Sequence, residues 1–193
     1  MENAMTRAPI HVPETYMTRD EFVAWYEQQP DGRRYERING IIVAKTPQTV
    51  GHIRCKMAAC MAFDRAIKDA GLTGCEALLG GMLVPTDDND LIPDGLVRRG
   101  PRLPNDAIFV PDPVVVVEVV SPDTETLDRT TKRHAYFQLP SVRQYLMIWP
   151  NESRIVRHSR LSTGNFATDV FTTGPIRIDP PGISVTVEEF YTD

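Results

Sequence analysis

Two acids and a lysine are spaced in this chain as the working parts of a metal-dependent hydrolase could be. Glu118 interrupts the run Pro113–Val120, Pro-Val-Val-Val-Val-Glu-Val-Val, which is otherwise apolar and largely β-branched. A carboxylate inside such a run must pair with a cation, accept hydrogen bonds or ligate a metal, because an isolated buried charge is too costly. Asp94 follows Pro93, 24 residues upstream, and Lys132 lies 14 residues downstream. If the strands carrying Asp94 and Glu118 are neighbours, the two carboxylates supply hard oxygen ligands for Mg²⁺ or Mn²⁺ and leave positions open for water and phosphate. A lysine beside the cation would add positive charge where negative charge grows in the transition state, and would help orient or deprotonate the water.

Each residue also has a plainer reading. Asp128, Lys132 and Tyr136 are spaced i, i+4 and i+8, so Lys132 could form an ordinary helical ion pair with Asp128. Glu118 could be a satisfied structural carboxylate, and Asp94 a turn residue with Asp87, Asp88 and Asp90 as competitors. Other chemistries have less support. Ser121 lacks a G-x-S-x-G elbow although His134 and Asp128 are near in sequence, and His52 with Cys55 has no second ligand pair for zinc. No phosphate-binding or dinucleotide-binding glycine loop occurs, so no nucleotide cofactor is expected.

The elements that must position these residues can be read in outline. Residues 1–16 read as an N-terminal arm and 17–193 as one domain. Thr18 and Glu21 form a capping box ahead of a short helix that ends near Pro30-Asp31-Gly32. Asn39-Gly40 predicts a hairpin joining strands 34–38 and 41–45, with Glu36 on the first. Ile53, Met57, Met61 and Ile67 suggest a helix over 51–70, stopped by Gly71. A strand over 76–84, bent at Gly80-Gly81, is followed by a turn at 86–90 and a second strand over 91–97. The continuous apolar strand 114–120 implies layers on both faces. Ser121-Pro122 would open a helix reaching Leu139, and strands 144–149 and 154–160 precede a tail of short strands.

Composition sets outer bounds. The 193 residues are 41% hydrophobic and 24% charged, as in ordinary globular proteins. Three cysteines without C-x-x-C spacing suit reduced thiols, and with no apolar leader or membrane-length run the expected location is cytoplasmic, with no membrane partner. The net charge is −5, yet residues 129–160 carry seven Lys or Arg against the single acid Glu152. That local excess of +6 leaves −11 elsewhere, so an acidic protein could still offer a basic face to phosphates, or simply a set of solvated charges.

The ordered set Tyr35-Glu36-x-x-Asn39-Gly40, His52, Pro93-Asp94, Val117-Glu118-Val119-Val120-Ser121-Pro122, Asp128-x-x-x-Lys132-x-x-x-Tyr136 and Val142-x-x-Tyr145 resembles the Uma2 family. These are restriction-endonuclease-like proteins of the PD-(D/E)XK superfamily. The resemblance spans about residues 17–190 and implies an α/β (α+β) restriction-endonuclease-like fold, a central mixed β-sheet flanked by α-helices. It implies Asp94 and Glu118 as ligands of Mg²⁺ or Mn²⁺, and places Glu36 and His52 near the same site. The chain departs from the wider superfamily at Val120, where a lysine would share the strand face of Glu118. Lys132 is then a relocated lysine, or the site lacks one. Leu139-Pro140-Ser141 and Trp149-Pro150 are smaller departures that affect loop geometry.

The expected function is a metal-dependent DNA endonuclease. Asp94, Glu118 and Lys132 would be catalytic, Asp94 and Glu118 would hold the metal with Glu36 completing its coordination, and His52 would support them. Arg129 and Arg133 would contact backbone phosphates, and a homodimer would let each site cut one strand. The alternative is a nuclease-fold module that binds nucleic acid or protein without turnover.

Overall fold

The computed structural model describes residues 12–29 and 33–191. The first part of the expected arm, 1–11, and the expected helix stop at 30–32 lie outside the described residues. Helix α1 (Arg19–Tyr26) opens on the capping box: the Thr18 backbone N–H donates to Glu21 at 2.8 Å, and the Glu21 N–H donates to Thr18 Oγ1 at 3.4 Å. Asn39 and Gly40, with φ of 51° and 77°, turn the chain between β1 (Tyr35–Ile38) and β2 (Ile41–Ala44), pairing Ile38 with Ile41. After α2 (Val50–Asp69) come β3 (Cys75–Leu79), β4 (Val84–Pro85), β5 (Asp90–Leu91), β6 (Gly95–Arg99) and β7 (Pro113–Val119). A helical segment follows, made of α3 (Glu125–Leu127), a π-helical turn (Asp128–Lys132) and α4 (Arg133–Gln138). The chain continues through β8 (Gln144–Trp149), β9 (Arg154–Arg160), β10 (Phe166–Phe171), β11 (Pro175–Ile178) and β12 (Ile183–Thr186). A 3₁₀ turn at Val187–Phe190 ends the described elements.

The central sheet has six strands in the order β10-β9-β8-β7-β6-β3. Only β7 and β8 run parallel, and the helical segment is their crossover. A smaller sheet, β2-β1-β5-β4, leans against it, and β11 and β12 form a separate ribbon. This is the expected mixed sheet with flanking helices.

Strand β7 is covered on both faces. Val115, Val117 and Val119 join a core layer with Ala59, Phe63 and Ala66 of α2 and with Ile176 and Ile183 of the ribbon. Val116 and Val120 join a second layer with Ala135, Tyr136 and Tyr145. The alternation of side chains along a strand therefore puts Glu118 on the second face, in line with Val116 and Val120.

Four expectations about the elements change. The strand expected over 76–84 is two strands in different sheets, β3 in the central sheet and β4 in the smaller one, because the chain leaves the central sheet at Gly80-Gly81. The strand expected over 91–97 is two strands in different sheets, because the chain breaks at Ile92-Pro93-Asp94. Gly80 makes that break possible: its N–H donates to the Asp94 carbonyl at 2.9 Å, and a Cβ there would stand 2.1 Å from the Pro93 carbonyl oxygen. The helix expected from Ser121-Pro122 begins at Glu125, since Ser121 instead closes a turn in which its carbonyl accepts from Thr124 and Glu125. On α2 the buried face is Cys55, Ala59, Ala62, Phe63, Ala66 and Ile67, whereas Ile53, Met57 and Met61 are exposed. Of the residues used to infer the helix, only Ile67 faces the core. Small alanines let the helix sit close to the sheet, so the bulkier stripe turns outward. Among the described residues no helix is long and apolar enough to cross a membrane.

Three stability outcomes follow. Gly80→Ala should lower the free energy of unfolding by about 1–3 kcal/mol in a denaturant titration, as overpacking does. Phe63→Ala should cost about 3–5 kcal/mol, while Met57→Ser should change stability by less than about 0.5 kcal/mol.

Candidate active site

The break at Pro93 sets Asp94 at the entrance to β6, and the register that pairs Gly95 with Val117 carries Asp94 opposite Glu118. The Asp94 N–H donates to the Val117 carbonyl at 3.0 Å, and the Val119 N–H donates to Asp94 Oδ2 at 2.9 Å. The two carboxylates expected to work together are therefore cross-strand neighbours, only 2% exposed each.

Lys132 arrives from the crossover helix. Its ammonium donates to Glu118 Oε1 at 3.1 Å and lies 3.3 Å from Glu36 Oε1 and 3.4 Å from Asp128 Oδ1. The Tyr136 hydroxyl also donates to Glu118 Oε1, at 3.0 Å. The ion pair with Asp128 is present, but it is buried and is one of three contacts of the same ammonium. The position on the Glu118 strand face where a lysine would stand is filled by Val120, which packs in the second core layer. The π-helical turn, a widened turn often found at functional sites, runs from Asp128 to Lys132, and the Asp128 carbonyl accepts the Tyr145 hydroxyl at 3.0 Å.

Glu36 reaches the cluster from β1. Its Oε1 accepts the Ile92 N–H at 2.8 Å and lies 3.6 Å from Lys45 Nζ. His52 sits in the first turn of α2, where its Nε2 is 3.1 Å from Asp94 Oδ2. Asp94 Oδ1 takes the Gln48 amide at 3.0 Å and Lys56 Nζ at 3.2 Å. Glu36, His52, Asp94, Glu118 and Lys132 are thus brought together. Arg129 and Arg133 are not part of the cluster: both are exposed on the helix, and Arg129 pairs with Glu125 at 3.0 Å. Asp90, a competitor in sequence, is a structural ion-pair partner of Arg37 at 2.6 Å and Arg19 at 2.7 Å, while Asp87 and Asp88 are exposed.

Three members of the site, Lys45, Gln48 and Lys56, do not stand out in the sequence. One signal was available, since His52 and Lys56 are four residues apart on α2 and so share one helical face, with Gln48 four residues earlier, just before the N-cap Thr49. Lys45 follows the hairpin, and no local pattern marks it.

The electrostatics separate the two strand carboxylates. Burial opposes ionisation of Asp94, but the hydrogen bond from His52 and the charges of Lys45, His52 and Lys56 outweigh it and hold the carboxyl well below the usual range. Glu118 is pushed the other way by burial, with Lys132 offsetting part of the effect and Asp128 adding to it. Burial also works against the Lys132 ammonium, yet Glu118, Glu36 and Asp128 hold its pKa well above the ordinary lysine value. The surrounding carboxylates thus favour the charged form of Lys132.

The donor chemistry fits a hard divalent cation. Glu36, Asp94, Glu118 and Asp128 are all carboxylates, and burial raises the pKa of Glu118 and Asp128 although Lys132 pulls the other way. As placed, however, no three His, Cys, Asp or Glu side chains among the described residues close around one point. Lys132 bridges Glu36 and Glu118, and both Asp94 oxygens already accept hydrogen bonds.

Comparison with known proteins places this geometry. The family model of Uma2, described as "Putative restriction endonuclease", matches residues 19–188. An uncharacterized protein of Synechocystis sp., slr1290, is 23% identical over 180 residues, covering 91% of each chain. The crystal structure of a "putative nuclease belonging to DUF820" from Anabaena variabilis superposes with a TM-score of 0.72 at 19% identity, covering 91% of this chain and 97% of that one. The structural likeness gives the fold, and the family match over most of the length gives the lineage: this chain belongs to the Uma2 family.

Proposed function

We propose that the protein is a metal-dependent endonuclease that hydrolyses phosphodiester bonds in DNA. The observation that carries this reading is the buried Lys132 ammonium bridging Glu36 and Glu118, the latter on the strand beside Asp94. Asp94 and Glu118, with Glu36 next to them, would hold Mg²⁺ or Mn²⁺, which supplies Lewis-acid polarisation of the phosphate and a more acidic bound water.

The chain's own residues do the rest. Lys132 stays protonated and offers its charge to the phosphate as negative charge develops. Together with Tyr136 it fixes Glu118 through Oε1, which keeps the carboxylate in one orientation. His52 and the Val119 N–H do the same for Asp94. Arg129 and Arg133 project into solvent from the helix that delivers Lys132, where they suit phosphates that flank the scissile one.

One observation favours a second reading, a nuclease-fold module that binds without turnover. Asp94 already accepts from Gln48, Lys56, His52 and the Val119 N–H, so ligating a cation requires a partner to move away.

A plasmid nicking assay with Mg²⁺ or Mn²⁺ separates the two. Wild type should nick, chelation should abolish nicking, and the isosteric Glu118→Gln should lower the rate by about 10²-fold or more, as loss of a charge-stabilising group does. Undiminished cutting by Glu118→Gln would overturn the assignment, and binding without cutting by wild type would select the module. Lys132→Met should lower the rate similarly and also destabilise the fold by about 3–5 kcal/mol, since it leaves buried carboxylates without their cation.

A further inference from the structure

A cleft of about 750 Å³ opens beside the carboxylate cluster. Arg33, Arg34, Lys45 and Lys56 line it, and among the described residues no carboxylate does, in a chain whose net charge is −5. Its other walls include Ile53, Met57 and Leu79, which are 50%, 50% and 45% exposed. Gln48 and Lys56 line the cleft and also donate to Asp94 Oδ1 at 3.0 Å and 3.2 Å, so it leads directly to the site. The outward stripe on α2, unexplained by core packing, has a place here: two of its members form a cleft wall.

We propose that this cleft binds an unpaired DNA strand, with Arg33 and Arg34 on the phosphates and its apolar wall against the bases, so that the preferred substrate is single-stranded; the inference rests on the nuclease reading above. The mixture of surfaces distinguishes the ligand. Proteins that hold a duplex present strongly cationic, polar surfaces to its phosphates. An unpaired strand also offers base faces, and sites for it combine a positive groove with apolar or aromatic contacts.

Fluorescence anisotropy with the full chain in EDTA tests this without cleavage. The probes are a labelled strand of about 20 nucleotides, long enough to span one binding site, and the blunt duplex of the same sequence. Wild type should bind the single strand at least tenfold more tightly. The double variant Arg33→Glu/Arg34→Glu should weaken that binding at least tenfold and reduce the log–log salt slope by about 1.4, for two phosphate contacts at about 0.7 each. Ile53→Ser/Met57→Ser should weaken single-strand binding with the slope unchanged, the signature of lost base contacts. Equal or tighter duplex binding overturns the proposal. So does wild-type affinity in both cleft variants, as when reversal at Arg129 and Arg133 accounts for all the binding. Nicking in Mg²⁺ is the separate arm. Single-strand binding with no cleavage keeps the cleft and removes the nuclease, whereas duplex cleavage undiminished in the cleft variants keeps the nuclease and removes the cleft.

Discussion

A lysine ammonium buried among three carboxylates organises this molecule. Lys132 lies within 3.4 Å of oxygens on Glu118, Glu36 and Asp128, and each of these charges would be prohibitively costly where it sits without the others. They come from three segments: the central strand β7, the hairpin strand β1, and the π-helical turn, which supplies one charge at each end. Satisfying them fixes how the small sheet leans on the large one and how the crossover helix returns to it. The same contacts hold a cationic group and a carboxylate beside Asp94, so the requirement that stabilises the fold also assembles the site.

The two strand carboxylates are solved differently. Asp94 lies on the α2 side of the break and is held ionised by His52, Lys56 and Lys45. Glu118 lies among valines and tyrosines, where burial works against its charge. A cation between adjacent strands would relieve the second without needing to create the first. The basic cleft ends at the Asp94 side, through Gln48 and Lys56, so the groups that would meet a substrate strand are already coupled to the carboxylate.

Local chemistry made much of this legible. The Asn39-Gly40 turn, the Thr18 capping box and the alternation around Glu118 each depend on a few adjacent residues, and sequence displays such signals directly. Lys132 was legible from its place on the helix that follows the Glu118 strand, although its spacing from Asp128 equally suggested an ordinary ion pair. Tertiary choices were not. Whether Ile53, Met57 and Met61 or the alanine-rich face of α2 meets the sheet depends on the distance between layers, which periodicity does not encode. The strand break at Pro93 depends on Gly80 approaching it from another strand. The local positive excess over 129–160 suggested a phosphate-binding face, but its arginines scatter over a helix and a strand. The cleft cations Arg34, Lys45 and Lys56 instead come from the hairpin and α2 and meet only after folding.

The central claim is that the strand carboxylates hold a divalent cation, and manganese binding followed by electron paramagnetic resonance tests it most directly. One Mn²⁺ should bind per chain in wild type, and binding should be lost or strongly weakened in a folded Asp94→Asn/Glu118→Gln double variant. Wild-type affinity in that variant, or no binding by wild type at millimolar Mn²⁺, about the weak end for carboxylate sites, would contradict the account.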